Sequence, residues 1–232
     1  MDVLERDHAV ELPDARPADR RNRAASAEAP GSRQCRELLT ELLRPIDKDG
    51  AEAIARQLIG EFGSLAAVLA ADDISRVRVL GPGSAVSRYL GVVHAAMLQS
   101  LRREMLSKPV LGSTKGVIEY LRFDMAYAPV EQFRVLFLNR RNRLLRDEVM
   151  GRGTIGEAPI YPREVIRRAL DVGATALLLV HNHPSGDPTP SKSDVVMTQR
   201  IIRAAQELDI TVHDHLLIAR SGWKSFRQEG LI

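Results

Sequence analysis

The chain has 232 residues, of which 44% are hydrophobic and 4% aromatic, with a formal net charge of +3. This length allows one large or two small domains with an aliphatic core, and no apolar run approaches the roughly 18–20 residues that span a bilayer. The single cysteine, Cys35, excludes an internal disulfide and a cysteine-based zinc cluster. The N-terminus lacks the apolar segment of a secretory signal, so we expect a cytoplasmic location.

The N-terminal half of the chain divides into a tail and a helical segment. Residues 1–33 are rich in Ala, Arg, Asp and Pro without apolar periodicity, which predicts a disordered tail. Residues 34–107 carry apolar side chains at helical spacing and no strand pattern, which predicts an all-helical domain. Four helices are predicted in it. The first begins at Arg36, the second covers Glu52–Phe62, the third covers residues 64–73, and the fourth runs from a Gly-Pro-Gly turn at 81–83 to about Leu106.

The C-terminal half, residues 108–232, alternates strand and helix patterns, which predicts an α/β domain. A helix over Val110–Arg122 comes before a strand over Glu131–Leu138. The other predicted elements are a strand near Leu144–Met150, a helix from Tyr161 to about Leu170, a buried strand over Ala174–His183, a helix over Ser191–Leu208, and strands near Ile210–Val212 and His215–Ala219.

Potential metal ligands cluster at the end of the buried strand. His181 and His183 point to the same side of that strand, because side chains alternate along it. Asp194 follows in the first turn of the next helix, after a loop stiffened by three prolines. Two imidazoles and one carboxylate leave the fourth tetrahedral position open for water, as in catalytic zinc sites. The pattern predicts such a site, although Ser191 and Asp194 also suit a purely structural helix N-terminus.

These residues resemble a known motif. The segment HNHPSGDPTPSKSD resembles the JAMM motif, H-x-H-x(7)-S-x-x-D, of JAB/MPN metalloproteases. Its context, with RNR at 141–143, YPREV at 161–165 and DHLLIA at 214–219, resembles the RadC family. The resemblance covers about residues 36–232. It implies a curved sheet flanked by helices, preceded by a helix-hairpin-helix-like domain, and zinc peptidase activity of the kind that cuts peptide or isopeptide bonds.

The resemblance also implies two catalytic residues beside the metal ligands. Glu131 matches the upstream glutamate of the family, and a carboxylate there can take a proton from zinc-bound water and pass it to the leaving amine. Ser191 would then donate a hydrogen bond to the developing oxyanion. The residues themselves leave Glu148, Glu157 and Glu164 as alternative bases.

A second His-x-His pattern occurs at His213, Asp214 and His215. We interpret these residues as polar contacts of the last strands and not as metal ligands, and their roles stay open.

Residues 80–85, LGPGSA, resemble the hairpin of a helix-hairpin-helix domain, in which backbone N–H groups approach a phosphate. Pro82 removes one such donor, and Val86 stands where a lysine is common. The helical segment also has equal numbers of acidic and basic residues. We therefore expect DNA binding to be weak and salt-dependent at most, and packing against the second domain or a partner is the alternative.

Two functions follow from these patterns. The first is a zinc-dependent metallohydrolase that acts on an unidentified protein or peptide substrate. The second is a non-catalytic, DNA-associated repair or recombination accessory protein, whose JAB-type domain only binds. The intact JAMM positions favour the first. A zinc deaminase would need a P-C-x-x-C ligand pair, which a chain with one cysteine cannot provide.

Overall fold

The computed structural model describes residues 30–107, 109–112, 114–153 and 160–232. A single-turn 3-10 helix at Val110–Gly112 lies between the two halves of this part of the chain. The other elements, in chain order, are α1 (Pro30–Leu43), α2 (Ala51–Phe62), α3 (Leu65–Ala70), α4 (Asp73–Leu80), α5 (Ala85–Ser107), α6 (Thr114–Met125), β1 (Gln132–Leu138), β2 (Leu144–Arg152), α7 (Pro162–Asp171), β3 (Ala176–Asn182), α8 (Lys192–Gln206), β4 (Thr211–Ala219) and β5 (Gly222–Ser225). None of these helices is both long and apolar enough to cross a bilayer.

The N-terminal elements differ from the prediction at two points. Helix α1 begins at Pro30 and not near Arg36, so the last residues of the predicted disordered tail are helical. The rest of that predicted tail, residues 1–29, lies outside the described residues. The short helix predicted over residues 64–73 corresponds to α3, and the helix that follows it, α4, was not predicted. Asp72 starts α4, because its Oδ1 accepts a hydrogen bond from the Ser75 backbone N–H at 2.7 Å.

The C-terminal elements differ mainly near the end of the chain. The two predicted strands at 210–212 and 215–219 are one strand, β4. The short strand β5 was not predicted, because four residues are too few for a clear alternation of apolar and polar side chains.

The sheet has five strands in the order β2-β1-β3-β4-β5. Strand β1 pairs antiparallel with β2 and β3, β3 pairs parallel with β4, and β4 pairs antiparallel with β5. Helix α6 packs on one face of the sheet, and α7 and α8 pack on the other. This confirms the predicted α/β class, in which a sheet flanked by helices follows a helical N-terminal region.

Helices α1 to α5 have an aliphatic core of their own. The long α5 also reaches the second half of the molecule, where Met105 is fully buried in the core beneath α6. The His94 ring on α5 stacks on Phe123 of α6, with ring centroids 4.9 Å apart. Helix α5 therefore packs on both cores and ends at Ser107, beside the boundary predicted between residues 107 and 108.

The turn between α4 and α5 is formed by glycines with positive φ. Gly81 has φ of 85° and Gly83 has φ of 76°, conformations that L side chains adopt at a cost. The Ser84 hydroxyl accepts from the Ser87 backbone N–H at 3.2 Å and so caps the start of α5. The turn thus has the tight geometry expected of a hairpin, while weak DNA binding stays a prediction.

The sheet carries an ionic cluster on its α6 face. The Arg134 guanidinium on β1 forms ion pairs with Asp124 of α6 and with Asp147 of β2, the latter with Nε and Oδ1 3.5 Å apart. The Tyr120 hydroxyl donates to the other oxygen of Asp147 at 2.5 Å. The Arg134 side chain is only 9% exposed, and among the described residues it is the cation that forms ion pairs with both carboxylates.

We predict that Arg134→Met lowers the free energy of unfolding by about 3–5 kcal/mol, because it leaves two largely buried carboxylates without their cation. Arg168→Met is the matched control, since Arg168 pairs with Glu148 on the opposite face and both side chains are about a third exposed. That exposed pair should contribute less than about 1 kcal/mol. Urea denaturation of both variants measures the difference, and equal losses would contradict this account of the cluster.

Candidate metal centre

Strand β3 brings the two histidines of the first His-x-His pattern to the end of the sheet. His181 pairs with Phe133 of β1 on the face that α7 and α8 cover, and it is 1% exposed. His183 follows the last strand residue, and its backbone N–H donates to the Ile218 carbonyl at 3.0 Å. The two Nε2 atoms lie 3.1 Å apart. The convergence predicted from strand alternation is therefore present.

Asp194 reaches the same place from the first turn of α8. Its Oδ2 accepts hydrogen bonds from the backbone N–H and the hydroxyl of Ser191, both at 2.7 Å, and Ser191 Oγ accepts from the Asp194 N–H at 3.1 Å. This reciprocal capping box fixes the carboxylate. Its other oxygen, Oδ1, is buried without a hydrogen-bond partner and lies 3.4 Å from His181 Nε2. The structural role predicted for Ser191 and Asp194 thus coexists with a carboxylate oxygen directed at the histidines.

The atoms that converge here have the chemistry of a cation site. His183 Nδ1 lies 2.9 Å from the Asp187 carbonyl oxygen, which can only accept, so Nδ1 carries the proton and Nε2 of the neutral ring has a lone pair. One potential ligand atom from each of His181, His183 and Asp194 lies within 4.8 Å of the others. Two imidazole nitrogens and a carboxylate oxygen without a donor fit a divalent transition metal ion.

The charges of the site also favour a cation. Burial alone would raise the pKa of Asp194, but the adjacent imidazoles of His181 and His183 and the Ser191 hydroxyl outweigh it and lower that pKa well below its ordinary range. The position of Asp194 in the first turn of α8 further stabilises its ionised form. The adjacent Asp194 carboxylate in turn raises the pKa of His183. Asp194 is therefore an anion, and its Oδ1 has no hydrogen-bond donor.

Two buried residues next to the site were not predicted to contact it. His215 of β4 is fully buried, and its Nε2 lies 2.8 Å from His181 Nδ1. Thr198 of α8 is also fully buried, and its Oγ1 lies 2.6 Å from His215 Nδ1. Burial lowers the pKa of His215 well below its ordinary value, which keeps the ring neutral. The Asp-His pair of the RadC resemblance pointed to this histidine, but only the fold places it against a potential ligand.

The other members of the second His-x-His pattern have different contacts. Asp214 accepts hydrogen bonds from the Ser225 hydroxyl and the Arg227 backbone N–H, which fixes the turn after β5. His213 Nε2 lies 2.7 Å from the Asn142 amide oxygen in the turn between β1 and β2. Within the part of the chain that the structure describes, no potential metal cluster includes either residue. They form the polar contacts expected of the last strands.

Glu131 precedes β1 directly and lines a narrow cleft together with His181. Its charge contributes to the raised pKa of His183, which places the two side chains within electrostatic range. The backbone on both sides of Glu131 is held by the buried Asn182. The Asn182 amide oxygen accepts from the Gln132 N–H at 2.9 Å, and its NH₂ group donates to the Val130 carbonyl at 3.3 Å. The residue between the two histidines was not predicted to have this role.

The alternative glutamates lie in other surroundings. Glu148 forms two hydrogen bonds with Arg168, at 2.5 and 2.7 Å, and this interaction lowers its pKa. Glu164 is in the first turn of α7, where it pairs with Arg167 at 2.9 Å. Glu157 lies outside the described residues. Of the described candidates, Glu131 alone lines the cleft beside His181.

The proline-rich loop after His183 is tied to the turn between β4 and β5. The Arg220 guanidinium donates to the carbonyl oxygens of Pro184 and Ser185 at 3.0 and 3.2 Å, and the Ser221 hydroxyl donates to the Gly186 carbonyl at 2.7 Å. These contacts brace the loop that orients the His183 ring. Sequence reasoning did not find them, because contacts to backbone carbonyls have no signature in residue type.

Comparison with known proteins agrees with this architecture. A family model described as a RadC-like JAB domain matches residues 111–231, which include all of the potential metal ligands. A UPF0758 protein of Rhodobacter capsulatus is 47% identical over 191 residues, which are 82% of this chain and 89% of the relative. The chain therefore belongs to the RadC family of proteins with a JAB domain.

Proposed function

We propose that this protein is a zinc-dependent metallohydrolase that cuts an amide bond in a protein or peptide. The observation that carries the proposal is the buried Asp194 Oδ1, which has no hydrogen-bond donor and lies 3.4 Å from His181 Nε2, while His183 Nε2 lies 3.6 Å from the other oxygen of the same carboxylate. A fold does not retain an unpaired buried carboxylate oxygen without cost, and a bound cation would remove that cost. His181, His183 and Asp194 would hold the zinc ion.

Zinc bound at these residues would act as a Lewis acid and make a water molecule acidic enough to serve as a nucleophile near neutral pH. Glu131 would accept the proton of the attacking water and return it to the leaving amine. Ser191 would turn its hydroxyl proton from Asp194 Oδ2 towards the substrate oxygen on which negative charge develops. The two capping hydrogen bonds that involve backbone N–H groups can persist during that rotation.

The cleft beside the site is small. Gly151 and Gly153 form part of its lining together with the apolar side chains of Phe133 and Ile160, and the Ile160 side chain fills the space beside Gly151. Its volume of about 10 Å³ is that of about one water molecule. The cleft can therefore hold a water molecule next to Glu131 and His181, and a substrate would bind outside it.

Two variants separate the metal role of Asp194 from its capping role. Asp194→Asn keeps an amide oxygen that can accept from Ser191, but it turns an NH₂ group towards the histidines, so we expect zinc binding to be lost. Ser191→Ala removes the cap hydroxyl and should cost about 0.5–2 kcal/mol of unfolding free energy, while about one zinc ion per chain is retained. Elemental analysis and denaturant unfolding measure both quantities.

The same variants give a second readout. At about 100 times its dissociation constant, zinc should add about 2.7 kcal/mol to the unfolding free energy of the wild type and of Ser191→Ala, and nothing to that of Asp194→Asn. A full zinc content in Asp194→Asn would remove Asp194 from the ligand set.

Glu131→Gln tests the proposed base. The amide has nearly the same shape but cannot take a proton, so we expect normal zinc content and hydrolysis slowed by about 10²–10⁴-fold. Glu148→Gln is the matched control and should leave the rate unchanged, because Glu148 is engaged by Arg168 away from the cleft. Wild-type turnover by Glu131→Gln would move the base to another residue.

The substrate for that assay can be found by trapping. Zinc-loaded Glu131→Gln should retain substrates that the wild type releases as products, and Asp194→Asn provides the background. Proteins enriched on the first variant over the second are identified by mass spectrometry and incubated with the wild type. Cleavage by the wild type, and not by Glu131→Gln, supports the proposal, whereas enrichment without any cleavage favours a binding function.

A further inference from the structure

A continuous series of buried hydrogen bonds connects the two elements that carry the potential ligands. The Thr198 hydroxyl donates to the Asp194 carbonyl oxygen at 2.6 Å, and the same oxygen atom of Thr198 lies 2.6 Å from His215 Nδ1. His215 Nε2 in turn lies 2.8 Å from His181 Nδ1. The series therefore begins on the backbone of Asp194 in α8, crosses β4, and ends on His181 in β3.

The direction of each proton in this series follows from the groups involved. A carbonyl oxygen can only accept, so the single hydroxyl proton of Thr198 must point at Asp194. Thr198 Oγ1 then has only lone pairs for His215, and His215 Nδ1 must be the donor. A neutral ring that carries its proton on Nδ1 has a lone pair on Nε2, so His215 Nε2 accepts from His181 Nδ1.

We infer that Thr198 and His215 are positioning residues that fix His181 in the Nδ1–H tautomer and leave its Nε2 lone pair directed at His183 and Asp194. In the opposite arrangement Thr198 would donate its proton to His215. The Thr198 hydroxyl oxygen and the Asp194 carbonyl oxygen would then face each other with lone pairs only, 2.6 Å apart. The tautomer follows from the hydrogen bonds on the Nδ1 side of His181, and it leaves two Nε2 lone pairs 3.1 Å apart, an arrangement that a cation between them would stabilise. Its consequence for metal affinity rests on the proposed function.

The surroundings shield these groups from solvent. Thr198 and His215 are both fully buried, and His181 is 1% exposed. The Phe226 ring packs on His215 with centroids 4.4 Å apart, and Phe133 approaches it edge-on at 5.8 Å. These rings exclude water that could otherwise exchange protons with His215 or offer it a second hydrogen bond. A hydroxyl on α8 is thus the group that determines the proton position on β3.

The tautomer can be read directly in the metal-free protein. Long-range ¹H–¹⁵N correlation spectra of protein labelled with ¹⁵N-histidine distinguish Nδ1–H from Nε2–H rings, and single His→Gln variants assign the signals. Histidine in water favours the Nε2–H form, so we expect His181 and His215 to depart from that default and show the Nδ1–H form. An Nε2–H signal for His181 in the wild type would overturn the inference.

Thr198→Val tests the origin of the tautomer. It keeps the side-chain shape but removes the hydroxyl, so we expect His215 and His181 to shift towards the Nε2–H form, and zinc affinity measured by competition to fall by about 10–100-fold. Thr198→Ser restores the hydroxyl and should restore both signals. Ser87→Ala is the matched control, because it removes a buried hydroxyl in the helical region, away from the site.

The outcomes separate this inference from the metal proposal. Nδ1–H signals in a wild type that binds no zinc would support the tautomer assignment and refute the metal role. If both Thr198→Val and the wild type bind zinc and show the same His181 signal, the metal role is supported and the role of Thr198 in fixing the tautomer is refuted. If Thr198→Val does not fold, the wild-type and Thr198→Ser spectra still decide the assignment.

Discussion

The candidate site depends on one carboxylate that has two tasks. Asp194 closes the capping box at the start of α8 with one oxygen and presents the other to His181. The capping box fixes the rotamer, so the second oxygen needs no further support to stay in place. The helix N-terminus also stabilises the charge that a metal ligand must carry. The start of α8 and the orientation of the Asp194 carboxylate therefore form together. The loop that precedes α8 needs only to place Ser191 near the end of β3.

The second constraint is the register between β3 and β4. The parallel pairing is regular except for one extra residue of β4 between Val212 and Asp214. Without this bulge, Leu179 would lie beside Asp214, and His215 would point to the α6 face, because a shift of one residue reverses every side chain of a strand. The bulge thus directs the His215 ring at His181. The break that the sequence pattern suggested between two short strands is this irregularity within a single strand.

These two constraints explain which features could be predicted. Periodicity was sufficient for the larger helices and for β1 to β3, since their apolar faces are long, and motif spacing brought His181, His183 and Asp194 together. The contacts of His215, Thr198 and the Arg220 side chain could not be predicted in the same way. They depend on strand register, on a bulge and on backbone carbonyls, none of which leaves a periodic signal in one sequence. The short elements α4 and β5, which have eight and four residues, were missed for the related reason that so few positions do not establish a pattern.

The alternation of side chains along β3 links the position of the two histidines to that of the proposed base, Glu131. His181 and His183 point towards Asp194, so the residue between them must point to the other side of the strand end. Asn182 uses that direction to accept from the Gln132 N–H and donate to the Val130 carbonyl, and in this way it holds the backbone on both sides of Glu131. A displacement of β3 would move the two histidines and the proposed base as one unit. The position of the two histidines relative to the proposed base is consequently set within three consecutive residues, and the long separation of Glu131 from the motif in the sequence has no counterpart in the structure.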